Sequence, residues 1–230
     1  MKKWFITVLI ICMPLLATAQ LSTVFEEETD AIILSAGLET GKEIAGFSCQ
    51  AIWSINTLFD IEARYVRTNF NTDNQYTYDG YIDGFSGIVT WWMLKKNINR
   101  SLSVDLGLKA GIESNNYSMY SYWVDDDTFV EMNGYSGGKV GLDAVLNYWI
   151  TDYSLLRPSL IVYGEAGLSS RTVSGMAVQS GYFGTTACAG VSYVKRLNLK
   201  DAFYVYPSVL LNTYNMPIRY TITVGYLIAF

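Results

Sequence analysis

Residues 218–230, IRYTITVGYLIAF, alternate with a period of two. Ile218, Tyr220, Ile222, Val224, Tyr226, Ile228 and Phe230 are large and apolar or aromatic. The residues between them are Arg219, Thr221, Thr223, Gly225, Leu227 and Ala229. Side chains two apart share one face of a strand. A full strand length with one greasy face suits a segment with lipid on one side and a polar lumen on the other, for which about ten residues suffice. A buried edge strand of a soluble sandwich would alternate in the same way, so the rest of the chain has to separate the two readings.

The other end of the chain favours lipid. Lys2 and Lys3 form a positive n-region, residues 5–16 an apolar h-region, and Ala17-Thr18-Ala19 a small-residue cleavage site. Residues 1–19 therefore read as a signal peptide and residues 20–230 as one domain. The apolar run is too short for a membrane anchor. Ile11 precedes Cys12 where a lipoprotein acceptor needs a small residue. No other apolar run is long enough to cross as a helix. An exported chain that is 50 % hydrophobic without a helical span is accounted for by a closed barrel, which is apolar outside and satisfies every backbone group internally.

Composition agrees. Aromatics make up 15 %, with 18 Tyr and 6 Trp, side chains that concentrate where one end is greasy and the other wet. Prolines are few (4) and glycines many (19), as uninterrupted strands and tight turns require. Removing residues 1–19 takes two lysines, so 16 basic residues fall to 14 against 21 acidic, a net charge of −7. That balance argues against nucleic-acid binding. Cys49 and Cys188 fall on opposite faces of well-separated strands, so they read as two free, packed residues.

Roughly ten alternating strands follow, near 31–39, 43–55, 58–68, 80–93, 101–113, 136–150, 158–169, 181–194, 202–212 and 218–230. An eight-strand count stays open if 31–55 does not form a hairpin. In the fifth strand, Leu102, Val104, Leu106, Leu108, Ala110 and Ile112 oppose Ser103, Asp105, Gly107, Lys109, Gly111 and Glu113. In the sixth, Val140, Leu142, Ala144, Leu146, Tyr148 and Ile150 oppose Lys139, Gly141, Asp143 and Asn147. In the third, Phe59, Ile61, Ala63 and Tyr65 face out against Asp60, Glu62 and Arg64. That phase would leave Arg67 outside, at headgroup level, unless the strand ends near Tyr65. In the fourth, Asp83 shares a face with Phe85, Val89 and Trp91, which a bulge near Gly84 or Gly87 would reconcile.

With a periplasmic C-terminus, the three longest connections, near 74, 124 and 175, all fall outside, as outer-membrane barrels show. Aromatics band at the strand ends: Trp53, Trp91, Trp92, Tyr148, Trp149, Phe203 and Phe230 on the periplasmic side, Tyr65, Phe70, Tyr81, Tyr182 and Tyr220 on the outer side.

The chain has no histidine, the side chain that titrates near neutral pH and serves most often as catalytic base. No catalytic residue, cofactor or zinc site is assigned. A Ser-Lys or paired-carboxylate activity stays conceivable, but Arg64 beside Asp60 and Glu62 makes a lumenal ion-pair network the better reading. That network comprises Asp60, Glu62, Arg64, Asp105, Lys109, Glu113, Lys139, Asp143, Glu165 and Arg219. In a barrel this narrow they form either a self-satisfied polar plug, the favoured reading, or the lining of a narrow pore. Tyr122, Trp123, Asp125, Asp126, Asp127 and Phe129 make the longest outer loop acidic and aromatic, suited to an extracellular protein or glycan. Asp125, Asp126 and Asp127 could hold Ca²⁺ but lack calcium-loop spacing.

The alternation of Tyr220, Ile222, Val224, Tyr226, Ile228 and the final Phe230 resembles the C-terminal assembly signal of Gram-negative outer-membrane β-barrels. With the signal peptide, it makes the whole mature chain similar to the small eight- to ten-stranded members of that superfamily. The resemblance implies an all-β, transmembrane, up-and-down antiparallel barrel in the outer membrane, with both termini periplasmic. Its implied partners are the bilayer with its lipopolysaccharide and, during biogenesis, the barrel assembly machinery. Enzyme families of that superfamily use a His that this chain lacks. The expected function is therefore surface interaction or membrane structure through the outer loops. The alternatives are a narrow channel or porin for small solutes and a secreted lipocalin-like binder with its greasy face inside.

Overall fold

The computed structural model describes residues 30–70, 80–118, 121–123, 128–212 and 218–230. Eleven strands form: β1 (Ala31–Gly41), β2 (Ile44–Ile55), β3 (Phe59–Phe70), β4 (Gly80–Asn99), β5 (Leu102–Ser118), β6 (Ser121–Trp123), β7 (Phe129–Thr151), β8 (Ser154–Val173), β9 (Met176–Arg196), β10 (Asp201–Asn212) and β11 (Arg219–Ala229). Each pairs antiparallel with its neighbours. β1 meets β11, and β5 meets β7, so ten strands close into a ring with β6 added to the far end of β7. Closure leaves no open sheet edge at membrane depth, the condition for spanning with strands. The β1–β2 hairpin is complete to Gly41↔Ile44, which removes the eight-strand count.

All ten expected strands are present, but several run longer than the alternation indicated. At the end away from the chain termini, here the distal end, β7, β8 and β9 continue well past the ladder between β9 and β10, which stops at Thr186↔Asn212. The stretch SSRTVSGMAVQS is therefore strand except for its turn. Ser174 and Gly175 both take positive φ (47° and 83°), the two-residue hairpin geometry whose twist matches that of the strands. Polar composition hid these extensions, because beyond the membrane neither strand face need be apolar.

The outer wall is apolar. Leu34, Phe85, Leu108, Ile112, Leu142 and Phe183 are among many large exposed hydrophobics, and the outward residues of β11 are all exposed, Phe230 included. The fourth strand needs no bulge at Gly84 or Gly87. Its register with β3 is unbroken from Gly80 to Trp91, and its irregularities lie between Trp92 and Leu94 and between Asn97 and Asn99. Asp83 does face out. Across the β3–β4 ladder it meets Arg67 (3.8 Å), accepts a hydrogen bond from the Tyr65 hydroxyl (2.6 Å), and Arg67 stacks 3.9 Å over Tyr81. β3 accordingly continues past Tyr65 to Phe70, with Arg67 outside.

Four banded aromatics turn inward. Trp92 is buried and donates its indole N–H to Asp60 (3.0 Å). Trp149 packs against the lumenal core, Phe70 is buried, and Tyr182 bonds Glu165. The first two follow the unbroken inward phase of their strands, Trp92 after Ile88 and Thr90 and Trp149 after Val145 and Asn147, ahead of the register shifts.

Candidate functional site

All ten charges assigned to the lumen face inward, and the structure divides them between two zones. The half of the lumen towards the termini is solid. Lys109 and Asp143 form an ion pair at 3.1 Å with both side chains 0 % exposed. Asp105 accepts from Asn147 Nδ2 (2.8 Å), and Arg157 Nε donates to Asn147 Oδ1 (2.6 Å). Asp60 and Glu62 are buried beside them. Buried charges need such partners.

Around these groups lies an apolar core, which the expectation of a purely polar plug did not include. Ile33, Ile52, Ile88, Leu155, Tyr163, Tyr204, Tyr206 and Leu227 all point inward and are buried together. Glycines make room for the rings. A Cβ at Gly225 would lie 2.2 Å from the Tyr204 ring, and one at Gly190 would lie 2.4 Å from that of Tyr206. These inward glycines serve packing rather than turns. The Tyr206 hydroxyl shares a hydrogen bond with Ser159 (3.3 Å) and lies 3.7 Å from Cys188. Cys188 is buried and Cys49 exposed on the outer wall, and the two are not joined in a disulfide.

The distal half is different. Inward positions mix serine and charge with aromatic and aliphatic side chains such as Phe70, Tyr135 and Tyr182, and a cavity of about 510 Å³ remains. Arg64, Glu113, Lys139, Glu165 and Arg219 line it. Glu39 joins them. It pairs with Arg219 (3.5 Å) and accepts the Thr68 hydroxyl. Glu113 pairs with Lys139 and accepts from Asn115 Nδ2 (2.8 Å). Glu165 accepts the Tyr182 hydroxyl (2.8 Å), and Tyr135 meets Tyr182 edge to face at 4.6 Å. A larger depression, about 840 Å³, lies in the outer wall over Ala51, Ala63 and Gly87. Its floor of small residues faces the lipid side.

Sequence reasoning missed Glu39 and Arg157. Starting β8 at Pro158 cut off Arg157, although Arg157, Ser159 and Ile161 continue its inward phase. The first strand was not phased, although Ile33, Gly37 and Glu39 share a face. Of the loop candidates, Tyr122 and Trp123 lie in β6, paired in register with Val130 and Phe129. Phe129 begins β7. Asp125, Asp126 and Asp127 lie outside the described residues, as does the signal peptide.

A closed ten-strand ring with an apolar exterior and ion pairs within is the architecture of the Gram-negative outer-membrane β-barrels. No protein-family model matches the chain, and no curated protein matches it by sequence. By structure it is similar to the translocator domain of the autotransporter NalP from Neisseria meningitidis, at 10 % identity over 90 % of this chain and 91 % of that one, with a TM-score of 0.53. The outer membrane protease OmpT from Escherichia coli matches at 10 % identity over 90 % and 98 % of the two chains, TM-score 0.46. The attachment invasion locus protein Ail of Yersinia pestis matches at 10 % identity over 89 % and 100 %, TM-score 0.34. Identities this low make the likeness one of fold.

Proposed function

We propose that this chain is a non-catalytic, non-conducting barrel of the outer membrane, with both termini in the periplasm, acting at its distal, outward end. The observation that carries the reading is the packing of the terminal half of the lumen. Lys109, Arg157, Ile33, Ile161, Tyr163 and Leu227 are each 0 % exposed there, so ordered side chains occupy the path an ion would take. A chain without histidine lacks the usual neutral-pH base, which supports the non-catalytic part. The apolar exterior opposes a secreted lipocalin-like binder, whose greasy face would be inside.

A narrow channel is the second reading, favoured by the charged distal mouth. Planar-bilayer conductance of the refolded chain separates the two, using only material whose gel mobility shifts on boiling. A folded, silent barrel is the expected result. Discrete, reproducible steps would establish the channel, with Lys109 and Asp143 the first residues to alter for selectivity.

A further inference from the structure

We propose that the distal part of β9 is an open strand edge that takes up one uncharged, extended segment of another protein as an added β-strand. This deepens the reading of a closed barrel that works at its distal end, and rests on that end facing outward.

The β9 ladder with β8 is unbroken from Val173↔Met176 to Ser154↔Lys195, whereas the ladder with β10 stops at Thr186↔Asn212. Among the described strands, the stretch Met176–Gly184 therefore pairs with β8 alone. The direction of each backbone group follows from the far end of the ladder. There the Arg196 N–H donates to the Tyr153 carbonyl (2.9 Å), and the Leu197 N–H donates to the Asp201 carbonyl (2.9 Å) on the other side. Antiparallel pairing alternates residue by residue, so even-numbered residues of β9 bond β8 and odd-numbered ones face away from it. Ala177, Gln179, Gly181 and Phe183 thus present their N–H and C=O groups to the open side, along about 30 Å of strand. Hydrocarbon supplies no partner for such groups, so this edge stands beyond the membrane.

The edge carries none of the usual guards. Open edges in native proteins are kept short, or carry charge, proline or a bulge. On the other side of the distal extension the sheet ends in β6, which is 3 residues long. The stretch Met176–Gly184 has no charged residue and no proline, and its register with β8 has no bulge. Phe183 and Met176 are 77 % and 69 % exposed, and a Cβ at Gly181 would meet nothing within 4 Å. What completes a row of donors and acceptors at strand spacing is another strand. With no charge on the edge to pair, the guest is neutral, and β-branched side chains suit the positions opposite Tyr182 and Phe183. A second copy of this chain fits poorly. Strands of such barrels tilt by roughly 35–45°, so two upright copies facing each other present edges that cross at roughly 70–90° instead of running side by side.

The test uses the full chain refolded in detergent micelles and an end-blocked peptide of alternating threonine and valine with a lysine at each end, followed by residue-resolved amide hydrogen exchange. Without peptide, the odd-numbered amides of 177–183 should exchange freely and the even-numbered ones, bonded to β8, slowly. Saturable binding is expected below about 1 mM, slowing the odd-numbered amides by about tenfold or more and leaving the even-numbered ones unchanged. The same peptide N-methylated at two adjacent central residues has both of its edges blocked. It should bind more weakly by about tenfold or more, the scale of lost backbone hydrogen bonds. Gln179→Pro removes an N–H on the open side and no bond to β8, so it should weaken the peptide by a similar factor, whereas Gln179→Thr should keep it. No saturation by about 1 mM overturns the site. So does equal binding of the methylated peptide, unchanged binding by Gln179→Pro, or slow exchange of the odd-numbered amides in the peptide-free monomer. Slow exchange there in a peptide-free dimer would put a second copy on the edge and overturn the proposed occupant. Should Gln179→Pro fail the gel-mobility test for folding, the methylated peptide on the unmodified chain decides the matter. Conductance steps would overturn the closed-barrel reading without touching the edge, so the two failures are distinguishable.

Discussion

Lys109→Met should be among the most damaging single substitutions in this barrel. The side chains of Lys109 and Asp143 are both fully buried, with Nζ and Oδ2 3.1 Å apart. The surrounding lumen holds Asp60, Glu62, Asp105 and Asp143 against Lys109 and Arg157, all nearly or fully buried. Acids already outnumber bases, so loss of Lys109 leaves Arg157 as the one cation among those four. Breaking a buried pair and stranding its partner costs about 3–5 kcal/mol, a factor of roughly 10²–10⁴ in the folding equilibrium. Asp143→Asn should cost less, because Glu62 remains near enough to Lys109 to act on its charge. The double replacement Lys109→Met with Asp143→Leu should recover much of the loss, since an apolar pair of similar volume replaces a buried ion pair at little cost. Urea unfolding of the refolded chain in micelles, followed by tryptophan fluorescence and gel mobility, gives all three values. A Lys109→Met variant within about 1 kcal/mol of the parent, or a double variant no better than Lys109→Met alone, would refute the reasoning, because either outcome means that the pair is solvated.

Deleting Phe230, which ends β11's outward row, should lower the yield of assembled protein in the outer membrane, measured as heat-modifiable material in membrane fractions; normal yields would remove the role given to this terminus. Gly190→Val places a side chain where the Tyr206 ring lies 2.4 Å from the nearest Cβ position, so it should destabilise by about 1–3 kcal/mol, as overpacking does, and Tyr206→Ala in the same chain should relieve part of that in the same urea titration. A membrane-permeant maleimide should label the exposed Cys49 in the folded barrel and reach the buried Cys188 only after unfolding, which mass spectrometry of the labelled peptides would read directly.

The barrel was legible because its lipid-facing residues obey a rule that needs no tertiary information. A membrane demands an apolar side chain at every second position, so β5, β7 and β11 declared their phase in sequence alone. The same alternation placed all ten lumenal charges. It lost Arg157 and Glu39 for a different reason: the phase was there, but a strand boundary was set at a proline in one case and no phase was drawn in the other. It placed Trp92 and Trp149 in the interfacial band because both sit near strand ends, although they keep the inward phase of Thr90 and of Asn147. The pairing of Glu39 with Arg219 joins β1 to β11 at the seam that closes the ring, and no local pattern carries the register of two strands so far apart in sequence.

The two zones of the lumen follow from what fills inward positions at each level. Towards the termini the inward residues are large, and glycines such as Gly225 and Gly190 sit opposite tyrosines, so the wall makes space for the rings that seal it. In the distal half Ser86, Ser169 and Ser180 line the cavity beside Phe70, Tyr135 and Tyr182, and the inward residues leave space unfilled between them. The outer face changes little across the boundary, since lipid makes the same demand at both depths. The lumen is the one surface that lipid does not constrain, and it is there that the chain changes character, from packed rings to charge and space. Packing at one end with charge and space at the other is what the proposed closed barrel, working at its outer end, requires.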